Sequence, residues 1–220
     1  MPENRTRESG HVLDPTERLS EVLFGLIMAL SFTGSLSAAT AGHEEVRTML
    51  FGAIGCNLAW GIVDAVMYVI GNLIERGRGV ATLKAVRTAA DAEYAQRAIS
   101  EALPSLVASV LRASDLEFIR QKLISLPEPS SRPRLTLRDI RGAIAVFFLV
   151  FLSTFPLVIP FTVMSAPVRA LRVSNGIAIA MLFFVGYSLG RHAGYRPLRI
   201  GLSMVAIGAA LVSLTIALGG

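Results

Sequence analysis

The chain has 220 residues, 53% of them hydrophobic and only 17% charged, where an average soluble domain carries about 25% charged residues. Its formal charge of +5 would suggest nucleic-acid binding in a soluble protein, but here the basic residues lie between long apolar runs, which excludes that reading and a soluble globular domain. The single cysteine, Cys56, excludes an intrachain disulfide.

A helix needs about 20 mostly apolar residues to cross a hydrocarbon core ~30 Å thick. Residues 22–41, 49–73, 142–164, 173–190 and 200–218 each meet that requirement. The expected fold is all-α: a polytopic membrane protein of five transmembrane helices, two before and three after a helical insert at residues 75–141. Residues 1–13 carry acids and no long apolar run, which argues against a signal peptide and for a disordered tail.

The first helix opens on Asp14-Pro15-x-Glu17, an N-cap followed by a proline at the first helical position and a capping acid. A short loop at residues 42–48 returns the chain to the second span. In the insert, residues 80–103 read as one helix, with Glu93, Arg97 and Glu101 forming a salt-bridged face and Pro104 ending it. Leu83, Val86, Ala90, Tyr94, Ile99 and Leu103 make its apolar stripe, read as packing on itself or a dimer partner rather than as a ligand site. Ser114-x-x-Glu117 opens a second helix ending near Leu126, and residues 127–133 form a Pro/Ser linker. Thr136-x-x-Asp139 caps the third span. That span holds Pro156 and Pro160, which remove two helical hydrogen bonds and kink it. Gly186, Gly190, Gly176, Ala180, Gly201 and Gly208 provide small faces for close packing in the last two spans.

Positive charge sets the orientation. Arg5, Arg7 and Arg18, the insert's flanking arginines and lysines, and Arg191, Arg196 and Arg199 fall on one side; only Arg47, Arg169 and Arg172 fall on the other. The N-terminus and insert are therefore expected in the cytoplasm, with the C-terminus opposite.

Acids inside a span are costly, about 2.5–3.5 kcal/mol at mid-bilayer, and so mark function. Asp64 stands alone deep in the second span. Asn57, Trp60, Asp64, Met67 and Gly71 recur at helical spacing, so they share a face expected to meet protein or water. Carboxylate, amide and thioether together suit a divalent transition-metal ion, while a protonated Asp64 bonded to a neighbouring helix is the structural alternative. Glu21 lies at the cytoplasmic mouth of the first span, one turn past Glu17, which serves the cap. His11, His43 and His192 all lie outside the spans, and no Walker loop, CxxC or HExxH occurs, so no enzyme is expected and no cofactor.

The 2+3 layout, the Pro156-Leu-Val-Ile-Pro160 segment and Gly201-Leu-Ser-Met-Val-Ala-Ile-Gly-Ala-Ala210 resemble the vacuolar iron transporter family. That resemblance implies Fe²⁺ or Mn²⁺ as transported substrate, proton coupling and a homodimer in lipid. In the family the first span carries an Asp-Gly pair; the matching stretch here, Phe24-Gly-Leu-Ile-Met28, has no acid. The family's insert holds closely spaced glutamates, whereas Glu93, Glu101 and Glu117 are scattered here. Two readings stay open: a divalent-metal transporter using Asp64, Met67, Asn57 and Glu21, and a membrane scaffold that retains the fold without transport.

Overall fold

The computed structural model describes residues 13–34, 43–127 and 134–217. The expected tail (save for Leu13, which is buried), the last seven residues of the first span and most of the Pro/Ser linker lie outside the described residues. Among the described residues all regular structure is helical: α1 (Pro15–Gly34), α2 (His43–Thr88), α3 (Ala92–Ala102), α4 (Ser105–Val110), α5 (Ala113–Ile124), α6 (Leu137–Ser153), α7 (Phe155–Val163), α8 (Pro167–His192) and α9 (Pro197–Ala217). Among the described residues four stretches are long and apolar enough to cross a membrane: α2, α6 with α7, α8 and α9. α1 is not among them; its described part carries Glu17, Arg18 and Glu21.

The chain forms two compact units, one of residues 1–68 with 140–220 and one of residues 69–139. In the first, α8 is central and packs against α9, α1 and α7. Its buried residues Ser174, Ala178, Leu182, Gly186 and Gly190 recur every four positions, which is one ridge of a helix surface. Leu26, Ala29 and Leu30 of α1 and Leu157 of α7 meet Ala178 and Leu182 in the core. Between lipid-bathed helices, small residues are what let backbones approach. A Cβ on Gly186 would lie 2.6 Å from Met204 Cγ, and one on Gly208 would lie 2.4 Å from Leu182 Cδ1. Gly176 and Ala180, by contrast, are exposed, with nothing within 4 Å of a Cβ on Gly176. They sit two residues off the buried ridge, hence on the far side of α8. At its end, Gly194 takes φ +74° and the Tyr195 N–H reaches the Gly190 carbonyl at 2.9 Å, a glycine C-cap that turns the chain into Pro197 of α9.

Two of the three capping motifs form as read. Glu17 accepts the Asp14 N–H at 2.8 Å. Asp139 accepts the Thr136 N–H and hydroxyl, each at 2.7 Å, and takes a two-pronged hold from Arg76 at 2.6 and 2.7 Å.

Three boundaries differ from the sequence reading. The loop expected at residues 42–48 is mostly helical, because α2 begins at His43 with Glu44 and Glu45 in its first turn, where the helix dipole favours acids. α2 also runs on through residue 75 to Thr88; at ~1.5 Å per residue its 46 residues span roughly 69 Å, more than twice a hydrocarbon core. The helix expected over 80–103 is broken at residues 89–91, where Asp91 accepts the Tyr94 N–H at 2.6 Å and caps α3. That restart changes the register of the apolar stripe. Val86, Ala95 and Ile99 form the core of the second unit with Leu103, Leu116, Ile119 and Leu123 against it, and Tyr94 and Ala90 are left exposed.

A further difference is in α5. Its capping acid is Asp115, which accepts the Arg112 N–H at 2.9 Å, rather than Glu117. Glu117 instead holds Arg120 at 2.6 and 2.8 Å, Gln121 at 3.1 Å and Gln96 of α3 at 3.2 Å. No ion pair joins Glu93, Arg97 and Glu101, which are all exposed among the described residues.

The Glu117 network generates a pH prediction. The bonds from Arg120 first, then Gln121 and Gln96, lower its pKa from 4.5 to about 2. A depressed carboxyl stabilises the fold in full above its unfolded value, and that contribution is lost as pH falls from about 4.5 toward about 2. Hydrogen-exchange protection of α3 and α5 should fall over that interval in the intact protein, and Glu117→Gln should flatten the fall. An identical acid profile in the variant would show that this network does not hold the two helices together.

Candidate functional site

α1 and α2 run antiparallel, and their side chains meet in order along the two helices. Phe24 meets Trp60 edge-to-face with ring centroids 5.8 Å apart, Gly25 meets Asn57, and a Cβ on Gly52 would touch the Phe32 ring at 3.3 Å. One turn before Phe24, the Glu21 carboxylate lies close enough to Asp64 and Glu17 to feel the charge of both. Two acids thus lie near each other on neighbouring helices, and among the described residues neither has an ion-pair partner.

Asn57 is wholly buried. Its Nδ2 donates to the Gly25 carbonyl at 3.1 Å and to the Thr154 hydroxyl. Gly25 makes this contact possible because it has no side chain: a Cβ there would lie 2.0 Å from Ser153 Oγ and 2.5 Å from the Val150 carbonyl. α1 therefore reaches α6 backbone to side chain, with its carbonyl within reach of the amide. A carbonyl can only accept, so it fixes which end of the Asn57 amide faces it. The other end, Oδ1, is buried with no hydrogen-bond partner.

Thr154 owes its place to the prolines. The third span is kinked, as the sequence reading had it: α6 and α7 make one 27-residue stretch, Leu137–Val163, and Thr154 between them keeps helical torsion angles, φ −70° and ψ −35°. α6 ends at Ser153, Thr154 is a turn residue, and α7 begins at Phe155 with Pro156 in its first turn. Pro156 cannot donate to the carbonyl four residues back, so the break falls just ahead of it. The exposed ends find partners nearby: the Thr154 N–H reaches the Phe151 carbonyl at 3.3 Å, Ser153 Oγ the Val150 carbonyl at 2.6 Å, and Ser174 Oγ the Leu157 carbonyl at 2.8 Å. Irregular backbone at membrane depth persists only where protein or a polar cavity satisfies it, and Ser153, Thr154 and Ser174 are all buried.

The structure brings Glu21 to Asp64, and Asn57 to Gly25 and Thr154, but it does not bring Met67 to them. Met67 is 59% exposed, and Trp60 and Gly71 are exposed beside it, so the expected polar face is buried only at Asn57. Thr154 and Ser153 were missed because Pro156 and Pro160 drew the reading of that segment. Two adjacent hydroxyls just ahead of a proline in an apolar run were the available signal. Among the described residues no three His, Cys, Asp or Glu side chains cluster to hold a metal, so an ion here would need the amide, hydroxyl and carbonyl oxygens as well as the two acids.

The sequence model of the VIT family matches residues 80–220, well over half of the chain. The chain belongs to the VIT family. As a VIT-family protein it is an integral membrane protein of a metal-ion transport family, and both motifs that carried the resemblance, Pro156 to Pro160 and Gly201 to Ala210, lie inside the match. α1 and the part of α2 that bears Asn57 and Asp64 precede it. A search of curated proteins gives no match.

Two glycines give a contrast of sign. Gly25→Ala should lower the thermal midpoint in detergent, since overpacking costs roughly 1–3 kcal/mol and the Val150 carbonyl cannot move aside. Gly77→Ala, with nothing within 4 Å, should raise it by the helix-propensity gain of about 0.5–1 kcal/mol. Equal midpoints for the two variants would show that the α1–α6 contact is not tight.

Proposed function

We propose that this VIT-family protein transports divalent transition-metal ions, Fe²⁺ or Mn²⁺, across a membrane. The observation that carries the reading is the pairing of Glu21 with Asp64 between α1 and α2, unneutralised by any basic partner among the described residues. Two carboxylates in an apolar setting attract a divalent cation and repel each other without one. Glu21 collects the ion, and Asp64 binds it and exchanges a proton; Met67, expected from the sequence as a ligand, is left to the exposed face of α2.

Asn57 lies seven residues from Asp64, about 10.5 Å along the helix axis. Ligand atoms sit only ~2.0–2.6 Å from a hard divalent ion, so Asp64 and Asn57 are successive stations on one path. α1 belongs to the first of five spans in this reading. The excess of arginine and lysine puts the N-terminus and the 69–139 unit in the cytoplasm. The exposed stripe of Trp60, Val63, Met67, Ile70 and Ile74 on α2, at alternating spacings of three and four, is the face a second copy covers in a homodimer.

Metal uptake into proteoliposomes tests the reading. Wild-type protein should take up Fe²⁺ or Mn²⁺ with opposite proton movement, and Asp64→Asn should slow uptake at least about tenfold, as expected when a metal site loses a charged group. Uptake by Asp64→Asn at the wild-type rate would sink this mechanism. No uptake and no stoichiometric metal in the purified wild-type protein would leave a membrane scaffold in its place.

A further inference from the structure

We infer that Thr154 is a positioning residue for the ion path: its hydroxyl and the Gly25 carbonyl together hold the Asn57 amide so that Oδ1 is kept free for the ion. The inference rests on the transport reading above and extends it to a residue on a third helix.

Three observations converge. Asn57 is fully buried yet leaves Oδ1 with no donor, although an unmet buried acceptor costs about 1–3 kcal/mol. Nδ2, the other end of the same amide, has two acceptors on two different helical segments. Neither is incidental. A Cβ on Gly25 would run into Ser153 and the Val150 carbonyl, and Thr154 sits at the α6–α7 junction two residues ahead of Pro156. With both acceptors in place, turning the amide over would set Oδ1 against a carbonyl oxygen. The unpaired oxygen is thus held in one orientation by α1 and by the α6–α7 break, and an amide oxygen is a hard ligand of the kind a partly dehydrated divalent cation takes.

Thr154 does not touch the ion in this scheme; it acts through Asn57. A group that orients a metal ligand without touching the metal typically changes affinity by 10–100-fold at a full site. Loss of one neutral hydrogen bond, with the Gly25 bond retained, should give an effect on the order of five- to tenfold.

The test is uptake kinetics of Mn²⁺ in proteoliposomes for Thr154→Val, Thr154→Ser, Asn57→Ala and the double variant Thr154→Val/Asn57→Ala, with thermal unfolding in detergent alongside. Thr154→Val should raise KM about five- to tenfold while changing kcat less than about twofold. Thr154→Ser, which keeps the hydroxyl, should restore the wild-type KM. The double variant should be no worse than Asn57→Ala alone, because Thr154 has nothing left to position.

An unchanged KM in Thr154→Val, a loss that Thr154→Ser shares, or additive losses in the double variant would each overturn the inference while leaving the transport reading standing. If Thr154→Val does not fold, Thr154→Ala replaces it; failure of both where Thr154→Ser folds makes Thr154 a structural residue and overturns the inference. Absence of wild-type uptake overturns the transport reading itself, and this inference with it.

Discussion

The membrane unit turns on a single buried amide. Lipid offers no hydrogen bonds, so each polar group at depth must find its partner in protein. Asn57 meets that constraint for three segments at once: it is carried by α2, bonds the backbone of α1 through Gly25 and bonds the break between α6 and α7 through Thr154. Without it, Thr154 would be a buried hydroxyl at a helix end, and the close approach of Gly25 to Val150 and Ser153 would have no polar purpose. The remaining helices pack by shape. α8 presents an unbroken ridge of small and aliphatic residues, and α9 fits it at Gly201 and Gly208. Shape packing of this kind tolerates change; the amide node does not, because each of its members answers a different demand.

Much of this was legible in the sequence wherever one physical signal dominated. Apolar length located α2, α6 with α7, α8 and α9, and cap chemistry located the starts of α1 and α6. Asp64 stood out because a lone acid in an apolar run has few explanations. The errors came where two signals competed. Ser114-x-x-Glu117 has the form of a capping box, but Asp115, three residues after Arg112, fills that role, and Glu117 is free to bond Arg120 and Gln96. Ala-rich continuity hid the break at Asp91, whose short side chain bonds the backbone three residues on. The apolar run ends near residue 73, where the sequence reading ended the span, yet the helix itself continues through the charged residues to Thr88.

The site itself was half legible. Its acids and its amide could be named from composition and spacing, since Asn57 and Asp64 repeat at helical intervals on one segment. Their partners could not, because Gly25, Thr154 and Glu21 come from other parts of the chain, and pairing across helices depends on crossing geometry that no local pattern encodes. Met67 shows the reverse error. It shares the helical spacing of Asn57, but two and three turns farther along α2 the neighbouring helices no longer cover the same face, and the side chain is open. A shared helical face ensures only that residues point the same way, not that they meet the same neighbour.

The displaced acids now have a physical rationale. The family resemblance leads to an acid where Phe24 stands, directly before Gly25. Phe24 cannot bind an ion, and it packs its ring edge-to-face against Trp60 instead. The acid of α1 is Glu21, three residues earlier, and the acid opposite it on antiparallel α2 is correspondingly later, at Asp64. An aromatic contact thus occupies the level at which the resemblance leads to an acid. In the proposed transport reading, the ligand beyond that contact is the uncharged Asn57 Oδ1, held in place by Thr154 and the Gly25 carbonyl. A cation on that path gives up its carboxylates at the Phe24–Trp60 level and is held there by dipoles alone. Dipoles bind divalent ions more weakly than carboxylates do, which favours release over retention and makes the orientation of each dipole, above all the Asn57 amide, the property on which passage depends.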